Sequence, residues 1–124
     1  MNNFDKTENR IKELGYLQLS GEELRQKIEN KTIWGDYYNG RKYISYSDKD
    51  GNIEGRNDLG SHVFGKWLIN KNDNTFEVKW DGYWEDWTGR AYDVDGKIQF
   101  FDTTSLNWRT TFNKFEIGKK TLVL

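Results

Sequence analysis

Asp102 and Arg109 are the pair of side chains in this chain best suited to chemistry or to gripping a polar group. The carboxylate falls near the end of a segment, 97–103, that reads as a strand. The guanidinium falls near the start of the next one, 107–116, beside Trp108. Held out of water together, such a pair orients a ligand, and a carboxyl with a raised pKa moves protons. In solvent the same two groups make only a rim salt bridge. Around them the chain supplies rings: Trp34, Tyr46, Trp67, Trp80, Trp87, Phe100 and Trp108 are candidates for an interior cage. Aromatic packing alone accounts for any one of them, since rings are how small cores are filled. Their number, with few small aliphatics beside them, favours a cavity. Tyr83, Trp84 and Glu85, followed by Asp86 and Trp87, form a second feature, a compact aromatic and acidic patch. Exposed, it would stack on a sugar or anchor a protein partner; folded back, it would be a tight loop at the edge of a cavity.

Other chemistries find little material. His62 is the sole histidine and there is no cysteine, so thiolate ligands and disulfides are excluded. The series Asp48, Asp50, Asn52, Glu54 alternates like a calcium loop but lacks its glycine and terminal glutamate spacing, and Asp50-Gly51 reads as a turn. Ser61 and His62 are sequence neighbours, which on a strand point to opposite faces. Histidine is a common general base, but His62 falls on the outward face with Phe64 and Lys66. The 12 glycines are scattered as turns and kinks, with no phosphate-binding loop. No metal and no cofactor is expected.

Composition narrows the class further. The 124 residues suffice for one core, and 19 basic against 20 acidic residues give a net charge of −1. That balance offers no field for nucleic acid and no polybasic run for a membrane surface. No window is long and apolar enough to span a bilayer, and the polar start MNNFDKTENR lacks a leader's apolar run, so a cytoplasmic protein is expected. The sequence sets no oligomeric state.

Two kinds of element must position these residues. Residues 1–31 read as a helical segment: Asp5 and Glu8 precede Ile11 and Leu14, with Gly15 as a stop. Ser20-Gly21-Glu22-Glu23 then forms a capping box, flanked by Leu19 and Leu24 as a hydrophobic staple. Leu24 and Ile28 share a face of the helix this starts, and the thin apolar stripe suits a lid or plug on a sheet. From Thr32 onward, β-branched and aromatic residues alternate with polar ones and turn signals recur about every 8–12 residues. Strands are expected over 32–38, 41–47, 52–58, 62–70, 75–82, 86–94, 97–103, 107–116 and 121–124. Asn39-Gly40, Asp50-Gly51 and Asp95-Gly96 read as two-residue hairpin turns.

Turns fix which residues share a face. A two-residue Asp50-Gly51 turn places Tyr43, Ser45, Ser47, Glu54, Arg56 and Asp58 on a wet face and Ile44, Tyr46 and Ile53 on a dry one. A loop at 71–74 gathers Val63, Trp67, Ile69, Phe76, Val78 and Trp80 as core. The Asp95-Gly96 hairpin sets Trp87, Ala91, Ile98, Phe100 and Asp102 against Arg90, Tyr92, Val94, Gln99 and Phe101, the first set being the more apolar and taken as interior. Short meander strands hide their edges by closing. The expected fold is therefore mainly β: an antiparallel up-and-down meander of eight or nine strands over residues 32–124, closed as a barrel, with one or two N-terminal helices, all one domain.

The Leu-Ser-Gly-Glu-Glu-Leu helix start at 19–24, Gly65-Lys66-Trp67 and the late Asp-Gly strand pair resemble small bacterial calycin-type barrels, the lipocalin-like group. They also resemble a bacterial family of uncharacterised function with the same order of motifs. The resemblance spans about residues 19–116 and implies a calycin-like barrel that binds a ligand. The chain departs from lipocalins in carrying Gly-x-Trp mid-chain and in lacking paired cysteines. Three functions are compatible with these readings. The first is a barrel that takes a small apolar or aromatic ligand among Tyr46, Trp67, Trp80, Trp87, Phe100 and Trp108, oriented by Asp102 or Arg109. A second puts cofactor-free isomerisation, cyclisation or decarboxylation in the same cavity. The third is an inhibitor- or immunity-type interaction module working through Tyr83, Trp84 and Glu85.

Overall fold

The computed structural model describes residues 6–124, so Asp5 lies outside the described residues. Two short helices, α1 (Glu8–Glu13) and α2 (Gly21–Ile28), precede eight strands. These are β1 (Lys31–Tyr37), β2 (Lys42–Ser47), β3 (Asn52–Asn57), β4 (His62–Asn70), β5 (Thr75–Trp80), β6 (Trp87–Val94), β7 (Lys97–Asp102) and β8 (Trp108–Ile117). Each pairs antiparallel with its sequence neighbours and β8 closes on β1, giving a closed eight-stranded barrel, an architecture consistent with a calycin-like fold. The expected strands lie within two residues of those observed, except 121–124. Because β8 already occupies the edge of β1, a ninth strand has no partner. The chain instead turns away at Gly118 (φ +83°), and Leu122 alone is buried beyond it. No helix of the described residues is long and apolar enough to cross a membrane.

The ring-rich hairpins fold as their patterns require. Asp95 and Gly96 both take positive φ (56° and 88°), so Val94 opposes Lys97, and Trp87, Ala91, Ile98 and Phe100 point inward. Asn70 opposes Thr75, and Trp67, Ile69, Phe76 and Val78 join them. Phe76 sits at the middle of this core, its ring centroid 5.3 Å from Trp87, 5.5 Å from Phe100 and 6.2 Å from Phe112.

The first two hairpins differ from expectation, with consequences for the site. Asp48 N–H donates to Asn52 O, and the Asp48 carboxylate accepts from the Asp50 and Asn52 amides at 2.9 and 2.8 Å. The loop therefore holds three residues, with Gly51 alone at positive φ, and Ser47 opposes Ile53. The turn at Tyr38 to Gly40 is built the same way, closed by Tyr37 N–H on Arg41 O. A one-residue change of register reverses a face. Tyr43, Ser45 and Ser47, expected on the wet side, thus share the interior with Ile53, while Tyr46 points outward beside Glu54.

The N-terminal segment does two separate jobs. The capping box at Ser20 forms as expected, with Ser20 accepting from the Glu23 amide and Glu23 from the Ser20 amide. Leu24 and Ile28 of α2 bury completely among Trp67, Ile69 and the barrel core, plugging one end. Gly21 permits this approach, because a Cβ there would lie 3.1 Å from both Ile69 and Lys71. Ser20→Ala is expected to cost about 1 kcal/mol, read as a lower denaturation midpoint with an unchanged slope. The segment before α2 runs outside the barrel. Its helix is anchored through Glu8 rather than through an apolar stripe, for Leu14 is 55% exposed.

Candidate functional site

The end of the barrel opposite α2 opens into a cavity of about 440 Å³. Its floor is the rings of Phe76, Trp87 and Phe112, and its walls are Ile53, Val78, Trp80, Tyr43 and Ser45. The mouth is framed by the β1–β2, β3–β4 and β5–β6 connections, which bring Asn39, Arg41, Asn57, Ser61, Tyr83, Trp84 and Glu85. Two inward glycines make room for the rings: a Cβ at Gly35 would collide with the Tyr43 ring, and one at Gly55 would lie 2.7 Å from Trp84 and 3.1 Å from Trp80.

The loop at 81–86 folds over this mouth. The Asp86 carboxylate accepts from the Trp80 amide at 2.8 Å, and the hydroxyls of Tyr83 and Ser61 are 2.6 Å apart. Glu85 accepts from Arg109 at 2.8 Å and from the Tyr38 hydroxyl at 2.8 Å. Trp84 lies edge-on against Trp80, with centroids 4.8 Å apart, and its buried indole N–H has no hydrogen-bond partner among the described residues. The aromatic and acidic patch is thus largely the rim of the cavity. Tyr83 is its outward member, at 79% exposure.

Arg109 and Asp102 meet at 2.5 Å beside the mouth, and Arg109 also donates to the Tyr37 hydroxyl at 2.9 Å. Neither is part of the cavity lining. A bulge between Phe100 and Phe101 produces this arrangement: it sets Phe101 opposite Trp108 on the outer face and turns Arg109 toward the rim. Burial pushes the Asp102 carboxyl up, but Arg109 and the Ser105 and Thr104 amides outweigh it and hold it below the usual range. For Arg109, burial opposes the charge, and Asp102 with Tyr37 and Glu85 more than restores it. Burial raises Tyr37 to about 12 and Tyr43 further still. Because Thr110 donates its hydroxyl proton to Asp36 O at 2.7 Å, the 2.5 Å contact with Tyr43 has Tyr43 as donor. Beside the cavity, then, Asp102, Tyr37, Tyr43 and Arg109 are held in their ordinary charge states. That suits holding a ligand better than moving a proton.

No family model, curated protein or solved structure matches this chain. Function is therefore read from the cavity itself.

Of the ligand residues expected from sequence, Trp80 and Trp87 line the cavity. Trp67 and Phe100 lie in the packed core beneath it, Trp67 donating its indole N–H to Asp48 O at 2.9 Å. Tyr46 is outside, bonded to Asn30, because of the three-residue turn at 49–51. Trp108 is outside through the bulge, with Lys6 3.9 Å above its ring, and Trp34 likewise lies under Lys114. Tyr37, Tyr43, Ser45, Ile53, Phe76, Val78 and Phe112 also line it, with Asn39, Arg41 and Asn57 at the mouth, and none of these is a ligand residue expected from sequence. Tyr43 and Ser45 were concealed by the register, and Phe112 carried only the ordinary signal of an alternating strand.

Proposed function

We propose that the protein is a small-molecule-binding barrel whose cavity takes an apolar or aromatic ligand through the mouth framed by Tyr83, Trp84 and Glu85. The carrying observation is a ring-floored cavity of about 440 Å³, open at one end and plugged by α2 at the other. Its size lies in the range of ordinary ligand sites, and its few polar groups converge on the mouth, as such sites require. The ligand's body rests on Phe76, Trp87 and Phe112, with Trp80 and Trp84 at its side.

The neutral apolar fluorophore N-phenyl-1-naphthylamine is expected to bind with one-to-one stoichiometry and enhanced emission. Val78→Trp, which places a large ring in the cavity, is expected to weaken this at least tenfold. A protein that neither binds the fluorophore nor carries a small molecule in native mass spectrometry would end the proposal.

A further inference from the structure

The mouth of the cavity is a hydrogen-bond donor site, and this bears on the class of ligand. Arg41 lines the cavity, yet among the described residues its guanidinium makes no hydrogen bond; its nearest carboxylate oxygen, on Asp58, is 3.7 Å away. Two asparagines line the same rim, and both have spent their acceptor oxygens on the turns that carry them. Asn39 Oδ1 accepts from the Arg41 amide at 3.0 Å. Asn57 Oδ1 accepts from the Leu59 and Ser61 amides, each at 3.0 Å. These bonds fix which way each side-chain amide points, so both present NH₂ groups that have no acceptor among the described residues. The cavity's one lining carboxylate, Glu85, is neutralised by Arg109 and occupied further by Tyr38. Among the described residues Arg41 is therefore the cation of the mouth whose N–H donors stay free, its charge balanced only by the loose 3.7 Å pair with Asp58, and it is flanked by neutral donors.

We propose that the ligand is amphipathic, with an apolar or aromatic body in the cavity and an anionic head, of the carboxylate class, at the mouth. Arg41 supplies the charge and a forked pair of N–H groups that matches a carboxylate, and the Asn39 and Asn57 amides supply the flanking donors. This rests on the cavity reading above and adds the head group to it.

The test compares 2-naphthylacetate with 2-naphthylacetamide, the same body with and without charge, by calorimetric titration at low salt. The acid is expected to bind at least tenfold more tightly than the amide and to lose that advantage in 0.5 M salt, as an exposed charge contact should. Arg41→Met should bring the acid to the level of the amide. Asn57→Asp keeps an acceptor for the Leu59 and Ser61 amides, so the turn survives, and puts an oxygen where the NH₂ was. It should weaken the acid more than the amide, with an unchanged melting temperature confirming the fold. Equal affinities for acid and amide, or acid binding indifferent to Arg41→Met, would overturn the anionic head while N-phenyl-1-naphthylamine binding upheld the cavity. Failure of all three compounds would remove both.

Discussion

Glu8→Ala is expected to lower stability by about 3 kcal/mol, although Glu8 lies on a six-residue helix outside the barrel. Its carboxylate is 2% exposed and accepts two hydrogen bonds from Arg90 and one from the Tyr92 hydroxyl, all at 2.7 Å. The alanine leaves a guanidinium and a buried phenol without their acceptor, and breaking a buried pair costs about 3–5 kcal/mol. The lower end applies because the Arg90 side chain keeps 27% exposure and can recover water. Burial pushes the Glu8 carboxyl up, but the Arg90 and Tyr92 bonds outweigh it, and the group sits below its ordinary 4.5. A depressed folded-state value means the stabilisation is complete above about pH 4.5 and is lost as pH falls through the folded value. Urea denaturation of the wild type and Glu8→Ala should therefore differ most at neutral pH and converge in acid. A gap as wide at pH 3 as at pH 7 would show that the carboxylate's charge is not what holds this segment.

How much of this was legible depends on what fixed each element. The Asp95-Gly96 turn places the rings of Trp87 and Phe100 inside, because a residue pair at positive φ leaves one register, and the strict two-residue period of β4 does the same for Trp67 and Ile69. The Ser20 box and the Leu24 and Ile28 plug were equally local. The site was harder because it depends on single-residue differences in loops. At Asp48 a side chain captures two amides and lengthens the turn by one residue, which moved Tyr46 out and Tyr43 and Ser45 in. At Phe100 and Phe101 a bulge ejects Trp108 and aims Arg109 at the rim. Neither device has a sequence signature separable from an ordinary Asp-Gly turn or strand. Glu8 binding Arg90 across 82 positions has none at all.

The second large effect is expected from Arg109→Met, at about 3 kcal/mol, together with a change at the mouth that a purely structural residue would not produce. Arg109 joins three groups from different elements: Asp102 at 2.5 Å, Tyr37 at 2.9 Å and Glu85 at 2.8 Å. Without it Asp102 keeps only the Thr104 and Ser105 amides, and the loop at 81–86 loses its ionic tether. That loop already carries the buried, unpartnered indole N–H of Trp84, a cost on the order of 1–3 kcal/mol in the closed position. Its closure should therefore be lost before the barrel is, and hydrogen exchange at residues 81–86 should quicken ahead of the strand amides. Glu85→Gln separates the two roles. It removes the tether but leaves Asp102 paired, and since Glu85 is half exposed its cost in stability should stay below about 1 kcal/mol. It should nonetheless quicken exchange in the loop and raise the dissociation rate of N-phenyl-1-naphthylamine as Arg109→Met does. If Glu85→Gln left loop exchange and dissociation at wild-type values, the ion pair with Arg109 would be a brace for Asp102 and Tyr37 and not the latch of the mouth.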